Sequence, residues 1–148
     1  ARLATPIIYD EKERFDNKKS VQFGEGEDVT IFAIGVCVTE ALKAKETLAK
    51  DGINIRVVDM FSLKPVDEEI IIKAAKETKL LISVEDHSVI GGLGSIIADV
   101  LTEKYPFKLV KMGVKDRFGE SGNAVELMKK LEIDSEAIIN KVKEELNK

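Results

Sequence analysis

Residues 80–100 place the strongest constraint on the fold of this chain, because they join the pattern of a buried strand to that of a helix. The stretch opens with Leu, Leu, Ile, Ser and Val, a composition typical of a strand buried on both faces of a parallel sheet. Apolar residues then recur from Leu93 at i, i+3, i+4, i+7 and i+8, the stripe of an amphipathic helix. A strand, a turn and a helix make half of a βαβ unit.

The rest of the chain repeats this alternation. Further strands are predicted at residues 21–23, 29–34, 53–59 and 107–112, the first of them a short strand at the sheet edge. A helix is predicted from about residue 38 to residue 50, and others follow Asp67, Asn123 and Asp134, whose side chains are suited to cap helix N–H groups. The spacing predicts an α/β sandwich with a mostly parallel sheet.

Composition narrows the classes of protein that this chain can belong to. Its 148 residues suit one domain, and the balance of 44% hydrophobic and 34% charged residues is that of a globular protein. The net charge of −4 argues against nucleic-acid binding, and no apolar run approaches the length of about 20 residues that a membrane helix needs. The single cysteine excludes an internal disulfide, and the charged first residues are unlike a signal peptide, so we expect a cytoplasmic protein.

Polar residues and glycines mark the point where the strand of residues 80–100 gives way to the helix. They are Glu85, Asp86, His87, Gly91, Gly92 and Gly94. Ligands and partners of open α/β sheets gather at this carboxyl edge. The glycines allow two interpretations, a loop that binds an anion at the helix start or close packing of the helix on the sheet. Because they match neither phosphate-loop fingerprint, we favour packing and treat the six residues as an interface or ligand edge.

Two further residues are candidates for chemistry. His87 lies between two carboxylates and the glycine turn, where it could act as an acid or base, but a histidine at a strand tip also serves in interfaces, which we favour. Cys37 lies near a predicted helix start, where a thiol becomes reactive, although a buried packing role is the commoner one. With one histidine and one cysteine no zinc site is expected. We therefore assign no catalytic residue and no metal site.

Several stretches together resemble, in order, the C-terminal domain of transketolase. They are residues 28–35, residues 53–59 with Lys64-Pro65-Val66-Asp67, Val84-Glu85-Asp86-His87 with Gly91-Gly92-Leu93-Gly94, Ser121-Gly122, Glu126-Leu127 and Ile133-Asp134. The likeness covers nearly the whole chain from about residue 22. Glu-Asp-His and the Ser-Gly helix entry are closer to transketolase than to deoxyxylulose-phosphate synthase or the beta subunit of 2-oxo acid dehydrogenases, which share the domain. One departure is Leu131-Glu132, where the family has an aromatic or apolar residue and then glycine.

The resemblance implies a specific fold and a longer polypeptide. The fold is a Rossmann-like three-layer α/β/α sandwich with a five-stranded sheet of order 1-3-2-4-5, whose short first strand is antiparallel. Residues 1–20 then correspond to a linker from a preceding pyrimidine-binding domain and residues 21–148 to the C-terminal domain. Arg2 falls where transketolases carry an arginine that contacts the substrate phosphate, a role that suits a guanidinium, although an arginine at a terminus also occurs without one.

The resemblance also implies a function for the whole enzyme. A transketolase of the pentose phosphate pathway moves a two-carbon ketol unit between sugar phosphates, using thiamine diphosphate and a divalent metal. This chain lacks the Gly-Asp-Gly…Asn motif that holds them, so we expect it to bind no cofactor alone and to be inactive when isolated. Its expected partners are the preceding transketolase domains or subunit, in a homodimer. The alternatives are a regulatory or ligand-binding module at residues 85–94, or the corresponding domain of a 2-oxo acid dehydrogenase or deoxyxylulose-phosphate synthase.

Overall fold

The computed structural model describes residues 4–148, which contain five strands and five helices. The strands are β1 (Val21–Phe23), β2 (Val29–Ala33), β3 (Ile55–Asp59), β4 (Leu80–Ser88) and β5 (Leu109–Val114). The helices are α1 (Val36–Lys50), α2 (Glu68–Glu77), α3 (Leu93–Lys104), α4 (Ala124–Lys130) and α5 (Ser135–Leu146). None of these helices is long and apolar enough to cross a bilayer.

All five strands join one sheet in the order β1-β3-β2-β4-β5. β1 pairs antiparallel with β3, while β2, β3, β4 and β5 pair in parallel. Both the order and the antiparallel edge strand confirm the expectation drawn from the family resemblance. Because the four parallel strands point the same way, the segments that leave β2, β3, β4 and β5 all lie at one carboxyl edge.

Helices cover both faces of the sheet and bury two apolar cores. On one face, α1 and α5 pack on the side that includes Ile31 and Val57, and α4 contributes Met128. On the other face, α2 and α3 cover Phe32, Val58 and Leu81. Each central strand buries apolar side chains against helices on both faces of the sheet. This removal of apolar surface from water stabilises the parallel sheet. The predicted three-layer sandwich is therefore confirmed.

The three predicted capping residues each accept hydrogen bonds from backbone N–H groups at a helix start. Asp67 accepts from Ile70, Asp134 accepts from Ala137, and Asn123 accepts from Val125 and Glu126. These bonds satisfy N–H groups that have no partner inside the helix. The helix boundaries in the sequence are thus set by local chemistry.

One strand runs further than its sequence predicts. Glu85, Asp86 and His87 were expected where the strand leaves the sheet, but β4 continues to Ser88. The reason is its neighbour: β5 extends to Val114, which pairs with Ser88 after an irregularity in the register between Val84 and Ser88. Smaller differences are that α1 begins at residue 36 rather than 38 and that β5 covers residues 109–114 rather than 107–112.

Candidate functional site

The structure divides the predicted polar edge between the two faces of the sheet. Glu85 is buried on the face that carries α3, and its carboxylate bonds to that helix. Asp86 is exposed at the opposite face, where its Oδ1 lies 4.0 Å from the place a Cβ on Gly35 would take. His87 is also exposed. Of the six predicted edge residues, Glu85, Gly92 and Gly94 therefore come together, while Asp86 belongs to a different surface.

The Glu85 side chain caps the N-terminus of α3. Its Oε2 accepts a hydrogen bond from the N–H of Leu93 at 2.8 Å, and its Oε1 accepts one from Gly94 at 2.9 Å. The side chain is 1% exposed. A negative group at this end of a helix is stabilised by the helix dipole as well as by the bonds themselves. The carboxylate of the chain itself thus occupies the place where a phosphate would bind.

The glycines of the turn allow this arrangement. A Cβ on Gly92 would lie 1.9 Å from Glu85 Oε2, and a Cβ on Gly94 would lie 2.6 Å from Ser83 Oγ. Any side chain at Gly92 would therefore displace the carboxylate. Gly91 differs, since its surroundings are open and its φ of 78° is the feature that favours glycine. These contacts support the packing interpretation of the glycine turn.

His87 makes only local contacts within the described chain. Its Nδ1 lies 3.1 Å from the carbonyl oxygen of Ser88 and 3.9 Å from Glu85 Oε2. The ring is exposed, and Glu85 is already engaged with two backbone N–H groups. This geometry leaves the histidine free to meet another protein, and its interface role stays a prediction.

A groove of about 650 Å³ opens on the α1 side of the carboxyl edge. Residues 5–9 form one wall, and apolar residues of α4 and the segment after it form the other, including Leu127, Met128 and Leu131. The start of α1 and two carboxylates, Asp59 and Asp86, also line it. It lies where the connections from β2 and β4 turn to opposite faces of the sheet, the position at which open α/β sheets bind ligands.

Tyr9 anchors the N-terminal segment to this groove. Its hydroxyl donates a hydrogen bond to Asp59, and its ring packs against Phe15 and Phe23 with centroids 4.8 and 5.6 Å apart. Burial raises the pKa of Asp59, while the bond from Tyr9 lowers it. Burial and the nearby carboxylate raise the pKa of Tyr9 as well, so the phenol remains the donor. Sequence reasoning missed this pair, although Asp59 ends a predicted strand at the same edge.

The remaining candidates do not add a reactive centre. Cys37 is fully buried, and burial raises the pKa of its thiol, which contradicts a reactive thiolate at the start of α1. Within residues 4–148, no group of three or more His, Cys, Asp or Glu side chains is placed to hold a metal ion. Arg2 lies outside the described residues. A groove lined by two carboxylates, beside a helix end filled by Glu85, does not fit the diphosphate of a thiamine cofactor.

Comparisons with known proteins agree with this geometry. A transketolase C-terminal section from Methanocaldococcus jannaschii is 43% identical over 150 residues, which cover 99% of this chain and 46% of that protein. The solved structure of a split gene transketolase, an inactive beta4 tetramer, superposes with a TM-score of 0.89 at 42% identity, covering 94% of this chain and 46% of that one. The chain therefore spans about half the length of these relatives.

More distant members share the same domain. A 1-deoxy-D-xylulose-5-phosphate synthase from Caldanaerobacter subterraneus subsp. tengcongensis is 36% identical over 119 residues, 80% of this chain and 19% of that protein. The family model described as "Transketolase, C-terminal domain" matches residues 19–138. This match covers the sheet from β1 to β5 and all helices but the last turns of α5. The chain belongs to the transketolase C-terminal domain family.

Proposed function

We propose that this chain is the C-terminal section of a transketolase, and that it serves the assembly of the enzyme rather than its chemistry. The whole enzyme would transfer a two-carbon ketol unit between sugar phosphates with thiamine diphosphate and a divalent metal. The observation that carries the proposal is the family match over residues 19–138, in a chain that spans 46% of a transketolase section and 46% of a split transketolase subunit. In transketolases the cofactor lies between the two domains that precede this one, so we propose that it is bound outside residues 1–148.

The chemistry of the carboxyl edge supports an assembly role. The anion-binding end of α3 is taken by Glu85, whose two oxygens already accept two backbone N–H groups. A sugar phosphate or a diphosphate would have to displace a carboxylate that is 1% exposed. The neighbouring groove carries Asp59 and Asp86, which repel anions. Neither place is suited to a phosphorylated substrate.

The N-terminal segment supports a connection to further protein. Residues 5–9 lie along the groove, where Tyr9 bonds to Asp59 and Ile8 packs against the core under α1. A segment held in this way fixes the direction from which preceding residues approach the sheet. We propose that residues 1–20 are the linker from a pyrimidine-binding domain, that the assembly is a homodimer, and that it is cytoplasmic.

The proposal is tested with the purified chain and with its partner section. We expect the chain alone to show no ketol transfer from a ketose phosphate to an aldose phosphate and no binding of thiamine diphosphate with Mg²⁺ by calorimetry. Adding the polypeptide that supplies the preceding sections should produce a complex with ketol-transfer activity. Turnover or cofactor binding by the chain alone would contradict the proposal.

Two alternatives are separated by the same material. A deoxyxylulose-phosphate synthase or 2-oxo acid dehydrogenase would release CO₂ from a 2-oxo acid, so the reconstituted complex is also assayed with pyruvate. A regulatory module at residues 85–94 would bind an anion at the glycine turn, so inorganic phosphate is titrated while the amide signals of residues 91–95 are followed by NMR. We expect no shift, because Glu85 already occupies this site.

A further inference from the structure

The start of α1 opens into the groove without a side-chain cap. Gly35 precedes the helix and donates no capping bond, and both Gly35 and Val36 line the groove. The N–H groups of Cys37 and Val38 bond to the carbonyl oxygens of Ile34 and Gly35, at 3.3 and 3.1 Å. Within residues 4–148, the N–H of Val36 has no hydrogen-bond partner. The positive end of a helix dipole is therefore left without a negative group.

A second polar group beside this helix end lacks a partner. Thr39 lines the groove and is only 8% exposed, yet its hydroxyl forms no hydrogen bond within residues 4–148. The other two buried threonines differ, because Thr30 and Thr78 bond to each other at 3.0 Å. Buried polar groups are hydrogen-bonded as a rule, so a free hydroxyl at a groove wall indicates a partner that comes from outside the fold.

A carboxylate lies next to the same helix end. A Cβ on Gly35 would have one atom within 4 Å, Asp86 Oδ1 at 4.0 Å, so the space between this carboxylate and the start of α1 is open. Asp86 lines the groove, and no lysine or arginine of the described chain does. The second carboxylate of the groove, Asp59, already accepts from Tyr9. Asp86 is thus the acceptor that remains for a cation.

The rest of the groove is suited to an apolar group. Its volume of about 650 Å³ lies within the range of roughly 300–1,000 Å³ that is typical of small-molecule sites. Ile8 on one wall and Leu127, Met128 and Leu131 on the other supply apolar contact surface. An apolar pocket with a few convergent polar groups is the usual form of a ligand site.

We propose that this groove binds an α-amino acid with a large apolar side chain. The carboxylate of the ligand accepts from the Val36 N–H and the Thr39 hydroxyl at the positive end of α1, and its ammonium group pairs with Asp86. The two charged groups of an α-amino acid are attached to one carbon, so they need a donor and an acceptor that are neighbours, as the start of α1 and Asp86 are. The side chain packs between residues 5–9 and α4.

The charges of the groove select this class of ligand. Asp59 and Asp86 repel a phosphate or any other net anion, but a zwitterion carries no net charge. A simple amine would pair with Asp86 and leave the helix end and Thr39 without a partner. The site lies on the α1 face of the sheet, so it differs in place and in ligand from the glycine turn that Glu85 fills. The inference goes beyond the proposed function and does not depend on it.

Three related compounds test the proposal on the purified chain by calorimetry. L-phenylalanine has both charged groups, 2-phenylethylamine lacks the carboxylate, and 3-phenylpropionate lacks the ammonium group. We expect L-phenylalanine to bind, and each of the others to bind about tenfold or more weakly, since each loses hydrogen bonds to a charged group. By NMR, the amide signals of residues 36–39 should shift with L-phenylalanine. No binding at millimolar concentration, or equal binding of the amine, would overturn the proposal.

Two variants locate the site. Asp86→Asn should weaken the binding of L-phenylalanine about tenfold, and Thr39→Val should weaken it severalfold, because each removes a group that contacts the zwitterion. Asp86 is exposed and the Thr39 hydroxyl has no partner, so both variants should keep the thermal unfolding of the ligand-free chain. Asp99→Asn, an exposed carboxylate on α3 at the other face of the sheet, is the matched charge control and should bind as the parent does.

Binding that is as tight in Asp86→Asn as in the parent chain would overturn the proposal, and so would shifts at residues 91–95 in place of residues 36–39. None of these measurements uses ketol transfer or the partner section. Failure of the amino-acid site would therefore leave the proposed function as it stands, and failure of the ketol-transfer assay would leave this site as it stands.

Discussion

Replacing Glu85 by glutamine tests whether the carboxylate at the start of α3 supports the fold. Glu85→Gln changes the shape of the side chain very little but removes its charge and one acceptor. In the parent chain, Oε2 and Oε1 accept from Leu93 and Gly94 at 2.8 and 2.9 Å. An amide can accept one of these bonds, and it then turns an NH₂ group toward the other N–H.

The expected cost follows from these contacts. A hydrogen bond to a charged group contributes about 1.5–3 kcal/mol, and one of the two is lost. The loss of a negative charge beside a helix N-terminus adds about 0.3–1 kcal/mol, or more where the group is buried. Glu85 is 1% exposed, so water cannot replace the lost partner. The sum is a loss of about 2–4 kcal/mol, a large share of the roughly 5–15 kcal/mol of unfolding free energy of a typical domain.

Urea denaturation measures this loss as a change in the unfolding free energy. Asp99→Asn is the control, because this carboxylate is exposed in the middle of the same helix and its replacement should change stability by less than about 0.5 kcal/mol. Hydrogen exchange adds a local readout. The amides of Leu93 and Gly94 should lose protection in Glu85→Gln beyond the change seen across the core.

A small effect would refute the reasoning. If Glu85→Gln lowers the unfolding free energy by no more than Asp99→Asn does, the Glu85 carboxylate is not a significant cap of α3. Tighter binding of phosphate by Glu85→Gln, without a loss of stability, would lead to the same conclusion. The glycine turn would then be better interpreted as an anion-binding loop.

Two further predictions concern buried polar groups. Ser83→Ala should raise the unfolding free energy by about 1 kcal/mol in urea denaturation, because the buried Ser83 Oγ has no hydrogen-bond partner within the described chain and leaving such a group unsatisfied costs about 1–3 kcal/mol; a loss of stability would show that the hydroxyl is bonded. Burial raises the pKa of Asp59 in the folded chain above 3.8, because the protonated carboxyl is favoured there. The stabilisation of the fold that results is fully present below pH 3.8 and is lost as the pH rises through the pKa of the folded chain. The unfolding free energy of Asp59→Asn, measured by denaturation at a series of pH values, should therefore increase relative to that of the parent chain as the pH rises. A difference between the two chains that stays constant with pH would contradict this prediction.

Local patterns were sufficient to predict most of the secondary structure. The alternating residues 21–23 form the edge strand, and Asp67, Asn123 and Asp134 cap helices as expected. In each case the signal lies within a few residues of its consequence, in the period of apolar side chains or in a short side chain near a free N–H. The strand order came from the family resemblance, because local patterns do not determine which strands pair.

The functional edge was harder to predict because its contacts are distant in sequence. Tyr9 and Asp59 are separated by 50 residues, and no periodicity connects them. The length of β4 likewise depends on pairing with β5, since Ser88 is held in the sheet by Val114. Three consecutive polar residues at a strand end therefore indicated a site, but not the face that each side chain occupies.

The glycine turn shows what a local anion-binding pattern can and cannot establish. Glycines before a helix indicate N–H groups that can approach an anion closely, and this part of the prediction agrees with the structure. The pattern does not identify the anion that these N–H groups bind. Here Glu85 reaches the helix from the adjoining strand, eight residues before Leu93, and Gly92 leaves space for its oxygen. A carboxylate within the chain is always present at the site, whereas a phosphate must be bound from solution and must also displace it. The glutamate is thus the feature that separates a structural turn from a phosphate loop in this sequence.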